Sequence, residues 1–243
     1  LGPPARPLVD EAVLAAGGRP EGTSSKLAIE LDPDEPATEA ARTVFARLVE
    51  VIAENLPGTL ADVDTEFLHD LRVAVRRTRS LQRQFKSVYP ERLQHFRDEF
   101  KRLQRVTGEL RDLDVYLLDF DALKTSLPEP MREDLEPLRG VLQRHRAKAL
   151  TATRRALKEQ RTLTALDEWL EFIRCAPPSE VTVRELASKR VRRVYSKMVK
   201  MGRAIDDDSP AAELHELRKV GKELRYLLEF FSSLFPAEVV KPL

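Results

Sequence analysis

The 243 residues carry 41 basic and 40 acidic side chains, a net charge of +1, with a third of all residues charged and only 9 glycines. This length holds one large or two small domains with a substantial core, and the composition suits helices better than a sandwich or barrel. The single Cys175 excludes an intrachain disulfide and a cysteine-based zinc site, and no run of about 18 apolar residues exists to span a membrane.

The near-neutral total hides an asymmetry. Residues 1–66 hold 5 basic and 13 acidic side chains, so they carry −8 and the remainder carries +9. The opening Leu-Gly-Pro-Pro-Ala-Arg-Pro lacks a signal peptide's apolar core, which points to a cytoplasmic protein. It also lacks a Met, which points to a piece of a longer chain.

In chain order, residues 1–36 are rich in Pro, Gly and acids. They read as a linker or the end of an upstream domain, with one short helical segment at Val9–Ala16. Pro36 precedes a strong helical pattern over Ala37–Asn55, with Val44, Leu48, Val51 and Ile52 on one face and Pro57-Gly58 as its stop. A helix from Glu66 ends at Pro90, and a long one is expected from about Arg92 to Leu123. Pro128 and Pro130 break the chain before a helix over Arg132–Arg161, and a shorter one covers Ala165–Arg174. Two further helices follow, Val183–Arg203 and one from Leu214 to just before Pro236. No segment shows sustained period-2 alternation, so the reading is all-α.

The helix that starts at Glu66 carries His69, Arg72, Arg76 and Arg79 as one stripe at i, i+3, i+4 spacing. Leu68, Leu71, Val75 and Thr78 run beside it on the face to be buried, and Phe85 extends that face. Like charges four residues apart repel, so a cationic seam beside a core face predicts an anionic occupant. The pattern recurs 146 residues later. His215, Arg218, Lys222 and Arg225 repeat the stripe, while Leu214, Leu217, Leu227, Phe231 and Pro236 repeat the apolar partners. Arg77 and Arg83 do not recur, because Glu223 and Glu229 stand there. The halves, 37–180 and 181–243, are unequal, so the second reads as truncated or completed by a partner, which leaves a homo-oligomer open.

Other cation rows are Lys101 and Arg105; Arg144, Lys148 and Arg155; and Arg190, Arg193, Lys197 and Lys200. Converging Arg and Lys suit phosphate oxygens, and confinement between helices focuses the potential. Nucleic acid is the first ligand class to weigh, but single-strand binding asks for aromatic platforms among the cations. The first stripe has none and the second only Tyr226, which favours a phosphate chain without bases. Neither His has a recurring second metal ligand or nucleophile beside it, so no metal, cofactor or catalytic residue is assigned. Bound sulfate or phosphate would mark the site.

The doubled Leu-His-[Asp/Glu]-Leu-Arg-x-x-x-[Arg/Lys]-x-x-Arg, with Leu110-Arg111-Asp112-Leu113-Asp114-Val115, resembles the CHAD family of histidine-bearing α-helical domains over about residues 37–243. Residues 22–31 are similar to the end of a CYTH domain, the triphosphate-tunnel fold often found upstream of CHAD. The resemblance implies two pseudo-symmetric antiparallel helical bundles around a basic central pore that binds inorganic polyphosphate without catalysis. Its pore residues would be His69, Arg72, Arg76, Arg79, His215, Arg218, Lys222 and Arg225, with Lys101, Arg105, Arg144, Lys148, Arg193 and Lys197 contributing. A phosphohydrolase using the histidines with a metal, and an RNA-binding or scaffold module, are the alternatives. A CYTH-like triphosphatase upstream would be the enzymatic part of a longer protein.

Overall fold

The computed structural model describes residues 29–89 and 93–235. The helix expected at Val9–Ala16, most of the 22–31 similarity, and everything from Pro236 onward lie outside them. The described residues are all-α, without a named strand.

Helix α1 spans Ala37–Ala61, past the expected stop, with Pro57 inside it. Pro57 forfeits one backbone hydrogen bond. On either side of it, buried Asn55 donates to the Val51 carbonyl at 2.8 Å and Thr59 to the Asn55 carbonyl at 2.9 Å. Gly58 serves close packing, since a Cβ there would stand 2.4 Å from the Phe67 ring. The helix closes at Asp62, whose φ is 59°. Val63 N–H returns to the Gly58 carbonyl and Asp62 N–H to the Thr59 carbonyl, the paired bonds of a Schellman ending. Glycine usually holds that position; here an Asp tolerates it and uses its carboxylate elsewhere.

Helix α2 (Thr65–Gln84) carries the first stripe and passes into a 3-10 turn at Phe85–Ser87. The single helix expected over Arg92–Leu123 is three: α3 (Leu93–Val106), α4 (Gly108–Leu118) and α5 (Phe120–Ser126). The first break is Thr107, at φ −99° and ψ 0°. Its hydroxyl donates to the Leu103 carbonyl, and the adjacent Gly108 is a poor helix former. After α6 (Glu129–Arg132) come α7 (Glu136–Lys158), α8 (Gln160–Arg174), α9 (Val183–Arg203) and α10 (Ala211–Phe230). Helix α9 begins where expected, because Thr182 and Glu185 form a capping box.

The chain forms two compact units that interleave in sequence. The first contains Leu48–Arg76 and His95–Trp169. There Leu68 of α2 packs with Leu110 and Leu113 of α4 and with Ala149 and Leu150 of α7. Trp169 is fully buried against Phe96 and Phe100, at 5.1 and 5.8 Å between ring centres. Arg146 of α7 clasps this unit together. Its Nη1 and Nη2 donate to both oxygens of Asp62 at 2.8 and 2.6 Å, and its Nε donates to Asp114 of α4 at 2.7 Å. Arg154 adds a bond to the Leu60 carbonyl at the end of α1.

Among the described residues the second unit holds 29–47, 77–89, 93–94 and 170–235. Its core is built on residues that the repeat makes equivalent. Phe85 lies 6.1 Å from Phe231, and Phe45 lies 5.9 Å from Phe85 on its other side. Pro36 and Thr182, again 146 apart, form an isolated antiparallel bridge. Ala37 N–H bonds the Val181 carbonyl at 2.9 Å and Val183 N–H bonds the Glu35 carbonyl at 3.0 Å. The two copies therefore meet about a local pseudo-two-fold axis. Arg77 donates to Glu229 at 2.9 Å and Gln84 to Glu223 at 2.8 Å, so α2 and α10 run in opposite senses here. Arg77, Glu223 and Glu229, which stand at positions where the copies diverge, all take part in these contacts.

Candidate functional site

In the first unit the start of α2 is fixed from two sides. Asp64 accepts the Glu66 N–H at 2.8 Å, and Arg111 Nη1 reaches back from α4 to the Thr65 carbonyl at 3.2 Å. Leu68, Leu71, Val75 and Thr78 are buried, as their spacing predicts. That burial sets the stripe at the margin of the core, with His69, Arg72 and Arg79 half-buried and Arg76 exposed. Arg72 is latched: its Nη1 donates to the Gln104 carbonyl at 2.9 Å and to Thr107 Oγ1 at 2.8 Å. The break between α3 and α4 thus receives this arginine. Burial lowers the proton affinity of the Arg72 guanidinium, Asp112 partly offsets this, and Arg76 and Arg111 add to the lowering.

In the second unit the matching stripe on α10 is open. His215, Arg218, Lys222 and Arg225 are all exposed. The Arg225 guanidinium lies over the Tyr226 ring at 5.3 Å, a modest cation–π contact at an exposed site. Leu214 is 50% exposed. Leu217 is half-buried, its Cδ2 reaching towards Gly202 of α9.

The remaining cations divide by unit. Lys101 and Arg105 on α3, and Arg144 and Lys148 on α7, are exposed in the first. Lys148 lines an open groove of about 510 Å³ with Ala147, Thr151, Ala152 and Arg155. Arg193 and Lys197 on α9 are exposed in the second, while Arg190 turns inward to Ser87 Oγ at 3.1 Å.

Several other arginines are paired with carboxylates. Arg42 pairs with Glu39, Arg102 with Glu99, Arg139 with Asp121 and Glu136, Arg146 with Asp62 and Asp114, and Arg161 with Glu99. The bidentate hold of Arg146 keeps the Asp62 carboxyl below its usual range, and Arg161 and then Arg102 do the same for Glu99. Asp114 goes the other way, pushed up because its burial outweighs its one bond from Arg146. By contrast, among the described residues no carboxylate pairs with Arg72, Arg76, Arg218, Lys222 or Arg225.

Two further points bear on chemistry. Asp112 is exposed and Asp114 is turned into the Arg146 clasp, so these neighbours occupy different environments. Among the described residues no three His, Cys, Asp or Glu side chains gather as a metal site. Arg111 is the residue that sequence spacing did not place beside the stripe. Its signal was the Arg-Asp-Leu-Asp run, which puts Leu113 and Asp114 inward and Arg111 back along α4 towards α2.

The CHAD domain family model matches residues 43–243. The crystal structure of the CHAD domain from the plant Ricinus communis is similar at a TM-score of 0.77 and 26% identity, covering 88% of this chain and 72% of that one. PptA from Streptomyces chartreusis gives a TM-score of 0.64 at 14% identity, over 84% of this chain and 78% of that one, a likeness of fold alone. No curated protein matches the chain significantly. No described helix is long and apolar enough to cross a membrane.

Proposed function

The chain belongs to the CHAD domain family, and from that premise we propose that its basic rows bind inorganic polyphosphate as a non-catalytic module. The observation that carries this reading is one of pairing. A protein with 40 acids for 41 bases has carboxylates enough to neutralise its stripes, yet ion pairs form at Arg42, Arg102, Arg139, Arg146 and Arg161 and, among the described residues, not at five of the stripe cations. Arg72, Arg76, Arg218, Lys222 and Arg225 keep their charge at i, i+3, i+4 spacing instead. Repulsion along such a row is relieved by an anion that bridges successive cations, which a repeating phosphate chain does. The near-absence of aromatic rings among the stripe residues favours a chain without bases over single-stranded nucleic acid. His69 and His215 fit the same role as hydrogen-bond donors to phosphoryl oxygens.

The test is charge reversal at one residue of each stripe. Arg72 is a poor choice, since it also holds the break between α3 and α4. Arg76→Glu with Arg218→Glu is expected to weaken long-chain polyphosphate binding by at least about tenfold per site at low salt, with helicity unchanged. Unchanged affinity overturns the proposal. Release of phosphate by the intact protein overturns its non-catalytic part, and displacement of polyphosphate by RNA at equal phosphate concentration overturns the choice of ligand.

A further inference from the structure

Arg72 and Arg111 are held in the same way within the first unit, from opposite sides of the α2–α4 contact. Both hydrogen bonds of Arg72 run through Nη1, to Gln104 and Thr107. Both bonds of Arg111 also run through Nη1, to the Thr65 carbonyl and, at 3.5 Å, to Glu66. The edge formed by Nε and Nη2 is therefore uncommitted in each, among the described residues. Neither edge is sealed from solvent, since none of these nitrogens is among the buried unpaired atoms. That edge is the one with which an arginine grips an oxyanion through two parallel bonds. Arg161 of the same unit shows the grip, its Nε and Nη2 both donating to the Glu99 carboxylate. Arg76 and Arg111 are also close enough to act on the charge of Arg72. The Glu66 partner of Arg111 is itself well exposed, so it is a weak competitor.

We infer that Arg111 is a third guanidinium of the α2 anion site, joining Arg72 and Arg76 in gripping phosphoryl oxygens of the bound chain. The inference rests on the polyphosphate reading above. One Nη of Arg72 and one of Arg111 serve the fold, and the remaining fork of each serves the ligand. Binding is then prepaid by the fold, because two long side chains are already held in place before the anion arrives.

The experiment uses the full chain with long-chain polyphosphate across a salt series, comparing wild type, Arg111→Gln and Glu66→Gln. Arg111→Gln should bind about tenfold more weakly at low salt, the loss of one charge-assisted contact. Its slope of log affinity against log salt should be shallower by about 1. Glu66→Gln should bind at least as tightly as wild type, because it frees Arg111 from its carboxylate. A purely structural role for Arg111 would lower the melting temperature and leave the salt slope unchanged, and that result overturns the inference while leaving the polyphosphate reading intact. Absence of binding by the wild type overturns both.

Discussion

Helices α2 and α10 carry one ladder of leucines and cations, packed from the first turns in α2 but open over the first turns of α10, whose burial begins at Val220 and runs to Phe230. Leu68 is 2% exposed and its counterpart Leu214 is 50% exposed; on the preceding helices, Val49 is 5% exposed and its counterpart Tyr195 55%. Arg72 is latched to backbone and hydroxyl, whereas Arg218 is exposed. An amphipathic pattern specifies which face is apolar, but burial needs a cover. In the first unit that cover is α4 and α7, through Leu110, Leu113, Ala149 and Leu150. The same packing leaves Arg72 half-buried, with a backbone anchor at Gln104 and Arg111 as a neighbour.

The sharpest way to break the comparison is to truncate equivalent leucines. Leu68→Ala is expected to cost about 2–5 kcal/mol as a core cavity, and Leu214→Ala no more than about 0.5 kcal/mol. Denaturant midpoints of the two variants measure the difference, and equal losses would mean that the α10 face is covered in solution.

A second variant asks whether the cover depends on its clasp. Arg146→Met leaves Asp114, which is buried, without its cation, a loss of about 2–3 kcal/mol at neutral pH after allowing for the partial exposure of Arg146. Asp62 titrates below its ordinary 3.8 in the fold. Its contribution is therefore present above that value and lost as pH falls through the folded pKa. Asp114, raised by burial, has the opposite sign, and stripping its cation raises it further. The stability gap between wild type and variant should narrow as pH drops from neutral towards 3.8 and below. A gap independent of pH would count against the clasp.

The smallest effect lies where the copies touch. Arg77→Glu sets two acids against each other and should cost about 1 kcal/mol, since Glu229 is about half exposed although the Arg77 side chain is mostly covered. Adding Glu229→Arg should restore most of it, and a double-mutant cycle reads the coupling. Failure of the second change to rescue the first would show that the contact is set by packing around Phe85 and Phe231 alone.

Much of this was legible in the residues, and the failures have physical causes. The extent of α9, Val183–Arg203, was readable from the sequence, and the stripe's place beside a core face followed from spacing. The continuation of α1 through Pro57 did not, because the sequence shows that a hydrogen bond is lost but not what surrounds the gap. The break at Thr107-Gly108 was missed because the apolar period runs across it; Arg72 takes the exposed Gln104 carbonyl only in three dimensions. Arg111 escaped for a related reason. It lies on another helix, and its nearness to the stripe depends on how α4 packs on α2. The divergence of Arg77 and Arg83 from Glu223 and Glu229 was visible, but its meaning required seeing Arg77 on Glu229.

The bridge between Pro36 and Thr182 has a consequence in time. It joins the start of α1 to the start of α9 across 146 residues, and the entropy of closing such a loop grows only logarithmically with its length. The thermodynamic penalty is therefore mild, but the encounter is a late one. During synthesis, α1 emerges well before the strand-like turn that will receive its first residues, and the second unit waits on the ribosome for its own other half. The first unit closes over shorter separations, because Leu68 meets Leu110 and Leu150 across fewer residues than separate Pro36 from Thr182.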